Sequence, residues 1–287
     1  MATTVFAALA LVGFAANSVL CRLALRATSI DPASFTTIRL AAGALVLVAL
    51  ARWSGTRRPS RGESLRSAVW LVGYAVPFSF AYVTLSVATG ALLLFGAVQV
   101  TMLAAAVTSD DRPHATEWVG IAIALAGFLY LLWPGLTAPP LAPAVLMIGA
   151  GIAWGVYSLR GRRASSPLEQ TAANFVWSVP FALLVSGVDI GAAQLDGRGA
   201  IYALLSGGVA SGLGYACWYR ALPQLSTARA AVLQIGVPVL AALAGVAVLG
   251  EAISGRLLLA GGLILGGIAV AIVQGNATSL GATPRST

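Results

Sequence analysis

Gly13-Phe14-Ala15-Ala16-Asn17-Ser18 and Ala153-Trp154-Gly155-Val156-Tyr157-Ser158 lie 140 residues apart and superimpose on one another. The same offset lays Asp111 on Glu251 and Gly127 on Gly267. Each of these two acidic residues closes the fourth apolar run of its half, nine residues before a small residue, Gly120 or Ala260. The middle aligns less closely, with Pro238 opposite Val98 or Gln99. Anchors at both ends that agree on one offset read as an internal duplication.

What is duplicated is apolar. Of the 287 residues, 59% are hydrophobic and 9% charged, and the mean hydropathy is +0.89. A soluble domain carries about 25% charged residues, so too little polar surface remains here to coat a globule in water. Disorder and collagen are excluded by the same figures. The chain reads as an integral membrane protein. A transmembrane helix needs about 20 apolar residues, and such runs fall at 4–21, 33–51, 67–86, 89–107, 116–133, 141–159, 170–188, 200–219, 227–249 and 256–274. Ten spans leave only short connections and no room for a soluble catalytic domain.

The expected fold is therefore all-α integral membrane: ten transmembrane helices as two inverted five-helix repeats. Residues 1–136 form the first repeat, 137–275 the second, and 276–287 a short cytoplasmic tail. Five is odd, so the halves insert with opposite orientations. Inverted repeats are a common construction of secondary transporters, which bind substrate near the midplane between them.

Every basic residue is an arginine. The net charge of +8 does not point to nucleic acid, because the arginines sit between apolar runs rather than on one amphipathic face. Basic residues accumulate in cytoplasmic loops. With a cytoplasmic N-terminus, twelve arginines fall inside (52, 57, 58, 61, 66, 112, 160, 162, 163, 220, 229 and 285) and four outside (22, 26, 198 and 256). Both termini are then cytoplasmic. The first run lacks a basic segment before it and is followed by Arg22 and Arg26, so it reads as a retained helix rather than a signal peptide. Cys21 and Cys217 fall near opposite faces and read as unpaired packing residues.

These features resemble the drug/metabolite transporter superfamily, specifically the ten-helix EamA-type permeases. In the first half the resemblance rests on Leu11-Val12-Gly13-Phe14-Ala15-Ala16-Asn17, Asp31-Pro32 and Phe35-Thr36-Thr37-Ile38-Arg39-Leu40. In the second it rests on Ala153-Trp154-Gly155-Val156-Tyr157 and on Tyr219-Arg220-Ala221-Leu222 through Pro238 to Leu249-Gly250-Glu251 and Leu259-Ala260-Gly261-Gly262. It implies a five-plus-five bundle with both termini cytoplasmic, moving small metabolites, often outward. Two departures are Gln99, where the family pattern has proline, and Asp110-Asp111, where it has glutamate.

Candidate site residues follow from what a membrane interior does not tolerate. Arg39 is the charged residue placed well inside a span. An arginine there costs about 2.5–3.5 kcal/mol on insertion scales, so it faces protein or water. It reads either as a cationic contact for a carboxylate or phosphate on the solute, or as a structural arginine bonded to helix carbonyls or to Asp31. Asn17, Gln99, Asn174 and Gln234 carry amides that must point inward, toward a cavity or a neighbouring helix. Tyr82, Trp154 and Tyr157 are ring candidates for the pathway, and Tyr74, Phe78 and Tyr82 repeat every fourth residue along one helix face. Trp53, Trp70, Trp118 and Trp133 fall near span ends and read as interfacial anchors. Pro77, Pro180 and Pro238 lie inside spans and read as hinges, helix breaks or fixed kinks. The Gly151/Gly155, Gly208/Gly212 and Gly262/Gly266 pairs read as bundle packing rather than a dimer seam, and the sequence does not choose between monomer and homodimer.

Every Asp and Glu falls in a connection or at a span end. A proton relay through a buried acid is therefore disfavoured, leaving facilitated movement or exchange. The Asp110-Asp111-Arg112-Pro113-His114 loop reads as solvated, not metal-binding. With no phosphate-binding loop or hydrolase motif, no cofactor, metal or enzymatic activity is expected. The expected partners are the lipid bilayer and a small solute. The leading reading is a secondary transporter of the cytoplasmic membrane exporting an amino-acid-like solute by alternating access. The alternatives are a non-transporting partner subunit or a membrane-embedded lipid-modifying protein.

Overall fold

A computed structural model describes residues 2–54, 60–107, 115–133, 135, 138–161, 164, 166–188, 191, 193–221, 224 and 227–281. The Asp110–His114 loop, with the anchor Asp111, lies outside the described residues. Among those described, the regular elements are ten helical rods. They are α1 (Ala2–Ala27), α2 (Pro32–Ser54), α3 (Arg61–Tyr82), α4 (Val87–Val107) and α5 (Ala115–Leu132), then α6 (Leu141–Gly161), α7 (Pro167–Val188), α8 (Gly197–Ala221), α9 (Thr227–Leu249) and α10 (Gly255–Gly281). The last helix runs on to Gly281, into the segment expected as a tail.

Local chemistry sets the helix ends. Asp31 precedes α2, and its Oδ1 accepts from the amides of Ala33 and Ser34, both at 2.9 Å. That satisfies two of the donors a helix start leaves open, with Pro32 at the position where a missing N–H is harmless. Ser60 accepts from the Glu63 amide and Asp196 from the Gly199 amide at 2.8 Å. After α9 the backbone turns at Gly250 with φ +63°, a left-handed conformation that glycine adopts without steric cost.

Helices α1, α2, α6, α7 and α8 are long and apolar enough to cross a membrane. Shorter apolar stretches occupy α4, α5, α9 and α10, while α3 opens with Arg61, Glu63 and Arg66. Large apolar side chains such as Leu45, Leu129, Leu184, Leu243 and Leu258 face outward, as a lipid-facing surface requires. Trp53 and Trp133 are exposed at helix ends, where indole rings favour the headgroup region.

Packing follows a regular scheme. Helices α2, α4 and α5 pack against α7, α9 and α10 respectively. The contact of α3 with α6 is matched by α8 with α1, that of α4 with α6 by α9 with α1, and that of α3 with α7 by α8 with α2. Small residues permit the closest approaches. A Cβ at Gly207 would lie 2.0 Å from the Arg39 carbonyl oxygen, and one at Gly151 2.5 Å from that of Leu94. Gly155 likewise faces α4, whereas Gly262 and Gly266 meet nothing within 4 Å.

Helix α8 departs from the sequence reading. Between α-helical ends, its Leu205–Leu213 segment is wound as a π-helix. Such windings are rare and recur at functional sites. The helices carrying Pro77, Pro180 and Pro238 continue through those prolines, so none of the three interrupts its rod.

Candidate functional site

A cavity of about 20 Å³ lies among Phe14, Asn17 and Ser18 of α1, Tyr74 and Phe78 of α3, Leu94 and Phe95 of α4, Trp154 of α6 and Tyr215 of α8. These residues sit well inside their helices, and the wall draws on both parts of the chain. The volume holds about one water molecule, so the walls are drawn together in this structure. The wall is largely aromatic. Trp154 lies 4.7 Å from Tyr74 and 5.5 Å from Tyr215, ring centre to ring centre, and Phe14 meets Tyr215 edge-on at 5.7 Å. Rings with a polar atom give apolar area and a hydrogen-bonding handle together.

Asn17 lines the cavity and also fastens α1 to the π-wound segment. Its Oδ1 accepts from the Ser206 hydroxyl at 2.7 Å and the Ser211 hydroxyl at 3.2 Å. The hydroxyl of Ser18, beside it, is buried with no hydrogen-bond partner.

Arg39 lies behind the ring wall, 3% exposed. Its Nη2 donates to the Tyr74 hydroxyl at 2.7 Å. The guanidinium carbon sits 4.7 Å from the Phe78 ring centre and 5.3 Å from that of Tyr74, a cation–π arrangement. Nε and Nη1 are buried without partners. Asp31, one of the partners considered for it, is occupied elsewhere: besides capping α2, its Oδ2 accepts from the Gln194 amide at 3.0 Å. Burial pushes the Asp31 carboxyl up, but the bonds from Ser34, Gln194 and Ala33 together hold it below its ordinary value.

The remaining candidates lie away from the cavity lining. Tyr82 is buried beyond Phe78, 4.8 Å ring to ring, where its backbone oxygen accepts from Arg22. Tyr157 stacks on Trp154 at 5.4 Å and accepts from Asn174 Nδ2 at 3.2 Å. Asn174 in turn accepts from Gln170, which also donates to Ser64, so these four tie α6, α7 and α3 together. Gln99 is buried on α4 and Gln234 half-buried on α9, neither on the cavity wall. Among the described residues no group of three or more His, Cys, Asp or Glu is placed to hold a metal.

Phe14, Ser18, Leu94, Phe95 and Tyr215 are wall residues that the sequence does not mark as site candidates. A signal for Tyr215 exists: an offset of 141 lays Gly73-Tyr74 on Gly214-Tyr215, one residue from the offset that the outer anchors share.

Polar contacts link helices toward both ends of the bundle. At one, Arg22 Nε lies 3.3 Å from Glu251 Oε1, Arg22 Nη1 donates to the carbonyls of Tyr82 and Val83, and Glu251 Oε2 accepts from the Val87 amide at 2.7 Å. At the other, Arg160 donates to Ser67 and Thr3 to Gln224.

Residues 141–273 match the model of the EamA-like transporter family. An uncharacterized protein of Pseudomonas aeruginosa is 50% identical over 93% of this chain and 93% of its own. The threonine/homoserine exporter RhtA of Salmonella typhimurium is 30% identical over 78% of this chain and 76% of its own. A "probable amino-acid metabolite efflux pump" of the same organism is 28% identical over 69% and 74%. A solved crystal structure at 23% identity superposes with a TM-score of 0.67, covering 93% of this chain and 99% of that one, which shows a shared fold. With this helical bundle, these matches place the chain in the EamA-like transporter family of the drug/metabolite transporter superfamily, as a multi-pass membrane transporter of small metabolites.

Proposed function

We propose that the protein is a secondary transporter that exports an amino-acid-like solute across the cytoplasmic membrane by alternating access, built as ten spans in two inverted five-helix halves. The observation that carries this reading is the ring-walled cavity built from helices of both halves of the chain. A site between two halves, near mid-helix, is where transporters built from inverted repeats bind their solute. Asn17 and Trp154 are its solute-facing residues, Tyr74 and Tyr215 join them, and Arg39 acts from behind Tyr74 and Phe78. Tyr82, Gln99, Tyr157, Asn174 and Gln234 are proposed to act at the pathway's approaches.

The inverted repeat is supported by the packing scheme, in which the main contacts map onto one another when each helix is exchanged for the one five places away. The arginine bias supports cytoplasmic termini. Two relatives named as exporters or efflux pumps support outward movement and an amino-acid-like cargo. The end-of-span position of every carboxylate supports facilitated flux or exchange over proton coupling.

Counterflow into proteoliposomes tests the reading, across amino acids, nucleosides, sugars and organic cations. Labelled L-threonine or another amino acid is expected to accumulate against the preloaded solute. Uptake equal to that of empty liposomes for the whole panel would overturn it. An imposed pH gradient is expected to drive no accumulation.

A further inference from the structure

We infer that Arg39 is the carboxylate receptor of the transport site and makes a free carboxylate the feature that the solute must carry. This rests on the transporter reading above.

The protein satisfies Arg39 only in part. The side chain is almost wholly buried, one nitrogen is bonded to Tyr74, and the other two have no partner. A buried charge is retained when it is paired and hydrogen-bonded. Among the described residues, the ion pair within 4 Å joins Arg22 to Glu251 instead, and the Asp31 oxygens are taken up by backbone amides.

Structural arginines in this same protein behave differently. Arg22 donates to the carbonyls of Tyr82 and Val83, and Arg256 donates to that of Trp133. Both spend their donors on helix ends. Among the described residues Arg39 bonds no carbonyl, although α8 approaches its own backbone oxygen at Gly207.

Its place supplies the rest. Tyr74 and Phe78 both wall the cavity and flank the guanidinium, so the charge stands one ring away from the solute space. An anion entering the cavity reaches the free N–H groups as the Tyr74 ring turns aside, and a carboxylate suits them because its two oxygens accept from a planar fork. No buried carboxylate waits on the wall for an ammonium. The acid group is therefore the discriminating handle, and the amino group is secondary.

The test uses the full chain, purified in detergent and reconstituted, with L-threonine, L-threonine amide and 2-hydroxybutyrate as probes. Thermal unfolding reads binding and counterflow reads transport. Wild type is expected to bind threonine and 2-hydroxybutyrate at least tenfold more tightly than the amide. In Arg39→Gln that ratio falls to about one, and in Arg39→Lys it falls partway, because the ammonium keeps the charge without the fork. Wild type showing no preference for carboxylate over amide overturns the inference, whether or not the variants fold. So does a folded Arg39→Gln that keeps the wild-type ratio. If the carboxylates stabilise wild type and not Arg39→Gln while no solute shows counterflow, the receptor stands and the transport reading falls.

Discussion

The Arg22 guanidinium and the Glu251 carboxylate meet at 3.3 Å across 229 residues of sequence, tying the end of α1 to the turn that follows α9. Their side chains retain 13% and 7% of their exposure, so water screens the pair poorly. Removing one partner leaves a poorly solvated charge. Glu251→Gln should lower the unfolding free energy by about 3 kcal/mol, read as a fall in Tm in detergent. Replacing both by apolar residues of similar volume should recover part of that loss. An unchanged Tm in Glu251→Gln would show that the pair holds nothing together.

Asn17 predicts a reversal. Asn17→Ala strips the acceptor from both Ser206 and Ser211, at a cost of about 1–3 kcal/mol for the stranded hydroxyls. The triple variant Asn17→Ala, Ser206→Ala, Ser211→Ala leaves none stranded and should be more stable than the single one. Thermal unfolding of both decides it, and equal stabilities would mean that the hydroxyls find other partners.

Glycines that look alike in sequence should respond oppositely to the same change. Gly207→Ala places a methyl group into the Arg39 carbonyl and should cost about 3 kcal/mol or more through overpacking. Gly262→Ala meets nothing within 4 Å and should stabilise α10 by about 0.5–1 kcal/mol, the helix-propensity difference. Folded yield and Tm check both.

Asp31 gives a pH dependence with a definite sign. Its folded-state value lies below the ordinary one, so its stabilisation is whole above about pH 4 and is lost as pH falls through the lower folded value. Asp31→Asn keeps an N-cap acceptor but should flatten that part of the acid limb in a Tm-against-pH series. Asp31→Ala should cost about 1 kcal/mol at neutral pH.

The helices were legible because each apolar run is bounded by residues with a mechanical role: Asp31-Pro32 starts α2, Asp196 starts α8 and Gly250 stops α9. Arg39 and Asn17 were legible as inward-facing residues because the bilayer penalises unpartnered polarity, and both are buried; Trp154, placed mid-span by the sequence, lines the cavity. That same penalty does not say what satisfies an amide. Asn174 bonds Tyr157 and Gln170 rather than facing the cavity wall, and both outcomes serve the penalty equally well. The π winding of Leu205–Leu213 was not legible. Its Gly- and Ser-rich run permits several backbone registers, and the bonds from Ser206 and Ser211 to Asn17, 189 and 194 residues away, exist only once α1 is in place.

Asn17, Tyr74, Phe78 and Phe95 stand before the α5–α6 connection, and Trp154 and Tyr215 after it. A chain stopped after α5 carries Arg39 and its Tyr74 partner but lacks the indole and phenol that face them. A chain begun at α6 has those rings and nothing cationic opposite. Neither fragment encloses the cavity by itself; it comes into being at the seam, so coexpressed fragments rebuild it only by complementing one another.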